Sequence, residues 1–307
     1  MSTQRVTPSF AAGEVLSPVV GTATVADLAV GRTAIGVERG GNVWFAGAHD
    51  LVRLEGTTLT SFRFPDGHVL SGIAAGPPGV VYLASSSGLV RFAGGVFTLF
   101  RPQHLAAAIR NLATSPSGDA AFATAADEVA MVGRYDGREL RVLSPGTGFP
   151  PDLKITSLGF DEAGELVIGA EGAVAVQRAG TWTVIRGLDT TAAFAPSIDE
   201  IAAAAGAVWL ASPVGVYEYC GGTFVLHRTD RPVVCLCIDG DELWFGMRAG
   251  GLGRLRAGEV SAFMPGGTLL PQEDVTDLVR GEDGRIWVLA GGAIAFIREG
   301  EIERLPA

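Results

Sequence analysis

Four short runs set ionisable or hydroxyl side chains at matching points of a repeating pattern: Arg110–Asn111, Thr156–Ser157, Asp199–Glu200 and Thr276–Asp277. An arginine on one side and Asp199, Glu200 and Asp277 on the other could hold a polar small molecule or a cation. With a carboxylate whose pKa is raised by burial, the same group could do acid/base work, Arg110 holding an anion. The matching points of three further copies, Thr33–Ala34, Ser71–Gly72 and Val234–Cys235, carry small or apolar residues at most positions. Neighbours on a strand face opposite ways, so Asp199 and Glu200 are expected to split between two faces. The plain alternative is a wet opening in which these groups are satisfied by water.

Other chemistry finds little support. His49 and His68 fall in loops of the first repeat, His104 in the junction after the second, and His227 ends an outer strand of the fifth. No HxH or HxxxH spacing sets up a metal, so no metal ligands are assigned. There is no G-x-S-x-G elbow with a partnered histidine, no CxxC, no HExxH and no phosphate loop, and neither catalytic residues nor a cofactor are assigned. Cys235 and Cys237 lie two apart on one strand, pointing the same way, and are poorly placed to bridge each other. Together with Cys220 they read as thiols of a reducing cytosol.

The elements that must position these residues are clearest at the end of the chain. From Val275 to Ala307 the sequence reads as four strands, Val275–Arg280, Arg285–Ala290, Ala293–Arg298 and Glu301–Leu305, with GEDG, GG and EG turns between them. Such a meander needs neighbours to bury its faces. Taking Trp287 as the marker, the equivalent positions are Trp244, Trp209, Val167, Ala121, Tyr82 and Trp44, spaced by 35 to 46 residues. Seven four-stranded units at that period predict an all-β fold, a seven-bladed β-propeller of four-stranded antiparallel blades. The blades run 33–69, 70–108, 109–154, 155–197, 198–232, 233–274 and 275–307. Residues 1–32 form an N-terminal arm with a blade-closing strand at 11–20, and 33–307 the propeller; both termini offer an outer strand for the last blade, and which one takes it is open.

ITSLGFDEAGELVIG, VTDLVRGEDGRIWVLAGG and LWFGMRAGGLGRL carry a pattern that resembles the two-component-regulator type propeller repeat, over about residues 33 to 307. The resemblance implies a seven-bladed propeller of the kind that senses ligands in bacterial signalling proteins. The copy around Ala121 departs from it, lacking the aromatic and the Gly-Leu. In blade number and WF-containing strands the chain is also similar to streptogramin-lyase type enzymes, which use His and Glu with a magnesium ion on the inner-strand face. No inner strand here carries a histidine, so that chemistry lacks its base.

Charge and loop lengths narrow the partners. A net charge of −10 over 307 residues argues against nucleic acid and against an anionic membrane surface. No leader is visible in Met1–Phe10, which favours the cytoplasm, with the periplasm open if a leader was removed. The junctions 144–154, 187–197 and 264–274 are long, while the hairpins of the opposite face are minimal. Phe149, Phe194, Phe263 and Leu269 on those junctions are candidate anchors for a protein or peptide, unless they tuck into blade seams. The expected function is therefore a non-enzymatic module binding a protein, peptide or small ligand on its elaborated face. The alternative is a lyase or hydrolase working at the channel mouth.

Overall fold

In the computed structural model, residues 13–28, 31–64, 68–101, 108–124, 131–143, 145–146, 148–188, 197–263, 274–298 and 301–304 are described. They form seven antiparallel sheets in chain order, a seven-bladed β-propeller with one short helix, Val25–Leu28. The inner strands are Arg32–Val37, Leu70–Ala75, Ile109–Thr114, Ile155–Phe160, Glu200–Ala204, Val233–Asp239 and Val275–Arg280. The second strands are buried along most of their length, as the run of Trp, Phe and Val residues there requires. The core lies in the seams, where the apolar residues of one blade meet the next in separate clusters.

The last blade takes all four strands from the C-terminal stretch, its outer strand being Glu301–Arg304. The arm does something other than close that blade. Glu14–Leu16 adds a fifth strand outside blade two, pairing Val15 with Thr98, and Val19–Thr22 adds one outside blade one, pairing Val20 with Phe62. Pro18 lies between the two strands, where its missing N–H cannot break a ladder. Blade seven then meets blade one through side chains: Phe45 and Trp287 pack edge to face at 5.6 Å, and Glu282 accepts the Gly40 N–H at 2.8 Å.

At the entry of the inner strands the register slips. In blades one to four, six and seven the pairing shifts between the first and third residues, as at Arg32/Ala34 and Val275/Asp277. In blade five the Asp199 N–H donates to the Ala211 carbonyl at 2.9 Å while Glu200 also pairs with Ala211. This bulge sets two residues against one and breaks the strict alternation of faces.

Candidate functional site

The inner strands surround a cavity of about 740 Å³ on the propeller axis. Arg110, Asn111, Asp199, Glu200, Thr276 and Asp277 all border this one space, at the level of the bulges. Asp199 and Glu200 both border this cavity, at a point where the bulge interrupts the alternation on which opposite faces were expected.

Asn111, Glu200 and Asp277, with Ser71, Thr156 and Cys235 at the same level of other blades, also bridge to the following blade. The Ser71 hydroxyl donates to the Ile109 carbonyl at 3.1 Å, and Asn111 Nδ2 to the Thr156 carbonyl at 2.8 Å. Thr156 Oγ1 donates to the Ile198 carbonyl at 2.8 Å. Glu200 Oε2 accepts the Leu236 N–H at 2.7 Å, and the Cys235 thiol donates to the Val275 carbonyl at 3.4 Å. Asp277 Oδ2 accepts the Ile35 N–H at 2.8 Å and thus joins the last blade to the first. Six of the seven seams are crossed in this way among the described residues. Inner strands of neighbouring blades share no ladder, so these bonds give their orphan backbone groups partners.

Electrostatics single out one arc of the mouth, the third residues of blades five, six and seven. Burial pushes Glu200 up to about 8, the charge of Asp277 adds to the shift, and the Leu236 N–H opposes it. Burial likewise pushes Asp277 up to about 6 against the Ile35 and Leu278 N–H bonds. Between them Cys235 is pushed up by burial and by both acids, and Cys237 behind it follows for the same reasons. These thiols stay protonated and are poor nucleophiles. At neutral pH the arc therefore presents a neutral carboxylic acid beside a carboxylate. Asp199 is held apart from that pair, accepting from the Ser197 hydroxyl at 2.8 Å and lying 3.6 Å from Arg248 Nη2. Across the axis on blade three, the Arg110 side chain is exposed, and no ion pair to it is found among the described residues.

The junction anchors fare differently. Phe149 is 3% exposed and belongs to the same core cluster as Ala121, Ala123 and Leu158. A bridge between Pro145 and Phe149 folds the junction back onto the blade, and the ring is buried in the cluster shared by blades three and four. The expectation of an exposed anchor is corrected at that residue. Phe194 and Leu269 lie outside the described residues; Phe263 ends the outer strand Glu259–Phe263, and its side chain is also outside them. His49 is exposed, His68 is buried with an unpartnered Nδ1, and no cluster of three His, Cys, Asp or Glu able to hold a metal occurs among the described residues. Among the described residues no helix is long and apolar enough to cross a membrane.

Sequence reasoning passed over Glu218 and Ala204, which together with Trp209 and His227 line a second, smaller cleft between blades five and six. The signal was in the repeat: GVYEYC carries glutamate where DLVRLE, GLVRFA and GLGRLR carry arginine.

No family model and no curated protein sequence matches the chain. Solved structures do resemble it. Streptogramin B lyase superposes with a TM-score of 0.74 at 13% identity, over 91% of this chain and 96% of that one. A catalytically inactive virginiamycin B lyase from Staphylococcus aureus, solved with quinupristin, gives 0.73 at 15% identity over 94% and 100%. The extracellular domain of BT4673 from B. thetaiotaomicron, described as a hybrid two component system, gives 0.64 at 12% identity, over 93% of this chain and 40% of that one. The architecture that the repeat pattern and its resemblances implied is thus found in both kinds of neighbour, and at these identities the likeness is one of fold.

Proposed function

We propose that the protein is a binding propeller that takes a small polar ligand in its central channel, at the end where the inner strands begin. The observation that carries this is the lopsided lining of the axial cavity, with Glu200 and Asp277 on one arc and the exposed Arg110 guanidinium across the axis. Such a site suits a ligand with a donor or cationic group at one end and an acceptor or anionic group at the other. Blades one and two offer Ala34 and Gly72 at the third position, which leaves room beside the polar groups. Burial of Phe149 weighs toward a small ligand and away from a protein docked on the junctions. The exposed, unpaired Cys220 fits a reducing compartment and supports the cytoplasm over an extracellular setting.

The test is a thermal-shift screen of the full chain against small zwitterionic and polar metabolites, followed by calorimetry on the hits. Binding that is lost in Arg110→Ala and weakened in Asp277→Asn is expected. Hits that bind both variants as well as the parent would overturn the reading.

A second reading is enzymatic, favoured by one feature: Glu200, held protonated up to about 8 beside Asp277, is suited to give a proton to a bound substrate. It predicts turnover that Glu200→Gln abolishes while ligand affinity is kept. Turnover that survives Glu200→Gln sinks it.

A further inference from the structure

Opposite the marker residue of each second strand stands one residue of the third strand. It is Arg53 for Trp44, Arg91 for Tyr82, Arg134 for Ala121 and Arg254 for Trp244. In blades four and seven it is Val176 and Phe296. Blade five alone sets an acid there, Glu218 opposite Trp209. Where arginine meets tryptophan, the guanidinium carbon lies over the ring, 5.6 Å from the centroid in both blade one and blade six. Trp209 has a carboxylate at the place from which its counterparts receive a cation.

Two more replacements open this ring. In blade one, Phe62 of the outer strand stacks on Trp44 at 5.7 Å, and the buried Glu38 accepts from the indole Nε1 at 2.9 Å. The same register puts His227 in blade five where Phe62 stands, and Ala204 where Glu38 stands. No partner of the Trp209 Nε1 is found among the described residues. Trp44 is fully buried and Trp209 only partly so. The result is a cleft of about 250 Å³ at the seam of blades five and six, walled by Ala204, Ile238, Leu243 and Leu255. His227 Nε2 lies 3.2 Å from Glu218 Oε2, and its ring 6.0 Å from that of Trp209. From blade six, Asp241 and Glu242 face the cleft, and Glu242 is engaged by Arg256 at 3.2 Å and Arg254 at 3.5 Å. Glu218 has only the imidazole beside it among the described residues.

We propose that this cleft binds an organic cation, a guanidinium or alkylammonium head that lies on the Trp209 indole with Glu218 as its counter-charge. The incoming group supplies from outside what Arg53 and Arg254 supply within their own blades. A tryptophan face is the strongest aromatic partner for a cation, and more so where apolar walls keep water away. The volume is below the roughly 300–1,000 Å³ of sites for whole drug-sized ligands and suits a head group. The cation can be a free small molecule or the side chain of a peptide, since both present the same chemistry.

The experiment is an NMR titration of the indole N–H resonances of the full chain, at constant ionic strength. The probes are tetramethylammonium chloride, methylguanidinium chloride and an end-capped arginine peptide, with sodium chloride as control. One indole signal, the one missing in Trp209→Phe, is expected to move saturably with a dissociation constant on the order of 1 mM. Glu218→Arg, which installs the cation internally, is expected to remove the response while the other indole signals keep their positions. If Trp209→Phe does not fold, Glu218→Arg and the milder Glu218→Gln, expected to weaken binding about tenfold, decide the matter alone. A response to the free cations identifies a small-molecule site, and a response to the peptide alone identifies a side-chain site. No saturable shift with any probe, or an undiminished one in Glu218→Arg, overturns the proposal.

Discussion

In blade one, Trp44 is closed in by Phe62, capped at its nitrogen by Glu38 and covered by Arg53. In blade five the same three positions hold His227, Ala204 and Glu218, and Trp209 looks into a cleft. The second and third strands around the two rings pair in the same register, so the exchange of an arginine for a glutamate opposite the tryptophan is a matter of side chains alone. One set of residues spends the aromatic face on internal stability, and the other leaves it available. A repeat scaffold can thus place a site at any blade by exchanging the residues that would otherwise seal it.

The contrast breaks most visibly under truncation. Trp44→Ala empties a fully enclosed space and is expected to cost about 4 kcal/mol, whereas Trp209→Ala at its open cleft costs about half that or less, as read by urea unfolding. Equal losses would mean that the two rings are equally embedded.

The inner strands of the same blades sharpen it further, since blade one has Ala34 where blade five has Glu200. Glu200 titrates near 8 in the folded chain against an ordinary 4.5, so between those values the folded state holds a proton that the unfolded state has released. Stability from this group is full below about pH 4.5 and falls as the pH rises through 8. Glu200→Gln keeps an acceptor for the Leu236 N–H and cannot ionise. It is expected to match the parent at pH 4 and to exceed it by roughly 5 kcal/mol at pH 9, in a pH series of denaturation curves. Parallel curves at all pH values would place Glu200 in contact with solvent.

Glu38→Ala gives blade one the small residue of blade five. It strands a buried indole N–H and is expected to cost about 2 kcal/mol by thermal unfolding. The reverse exchange is the smallest effect: Glu218→Arg sets a cation over Trp209 and is expected to stabilise the chain by about 0.5 kcal/mol. A loss of more than that would show that the Glu218–His227 contact holds blade five together.

Much of the architecture is legible in the sequence. The glycine turns and the marker residues from Trp44 to Trp287 set blade number and boundaries, because hairpin chemistry and strand period are local properties. The mouth residues were found through repeat register alone. Their mutual placement was not, because a one-residue bulge leaves no mark in a pattern of two, and it decides whether Asp199 and Glu200 share a cavity. The bonds from Glu200 and Asp277 to Leu236 and Ile35 join blades far apart in sequence, and nothing local encodes them. The burial of Phe149 could not be read from its junction, because its cluster is built from residues such as Ala121, Leu158 and Ile168 on other strands. Glu218 was readable all along as a sign change within an aligned column.

The fifth strands outside blades one and two carry a consequence for synthesis. Leu16 pairs with Phe97, so as the chain leaves the ribosome its first strand waits for some eighty residues before its partner is made. Ring closure makes no use of that strand, since the last blade takes all its own strands from the final stretch and reaches blade one through Asp277. The arm can thus fasten blades one and two as soon as both have emerged, while the later blades are still being added. A segment that precedes the propeller thus serves as a clamp on its first two blades, while the circle is completed separately, by Asp277 and the blade it begins.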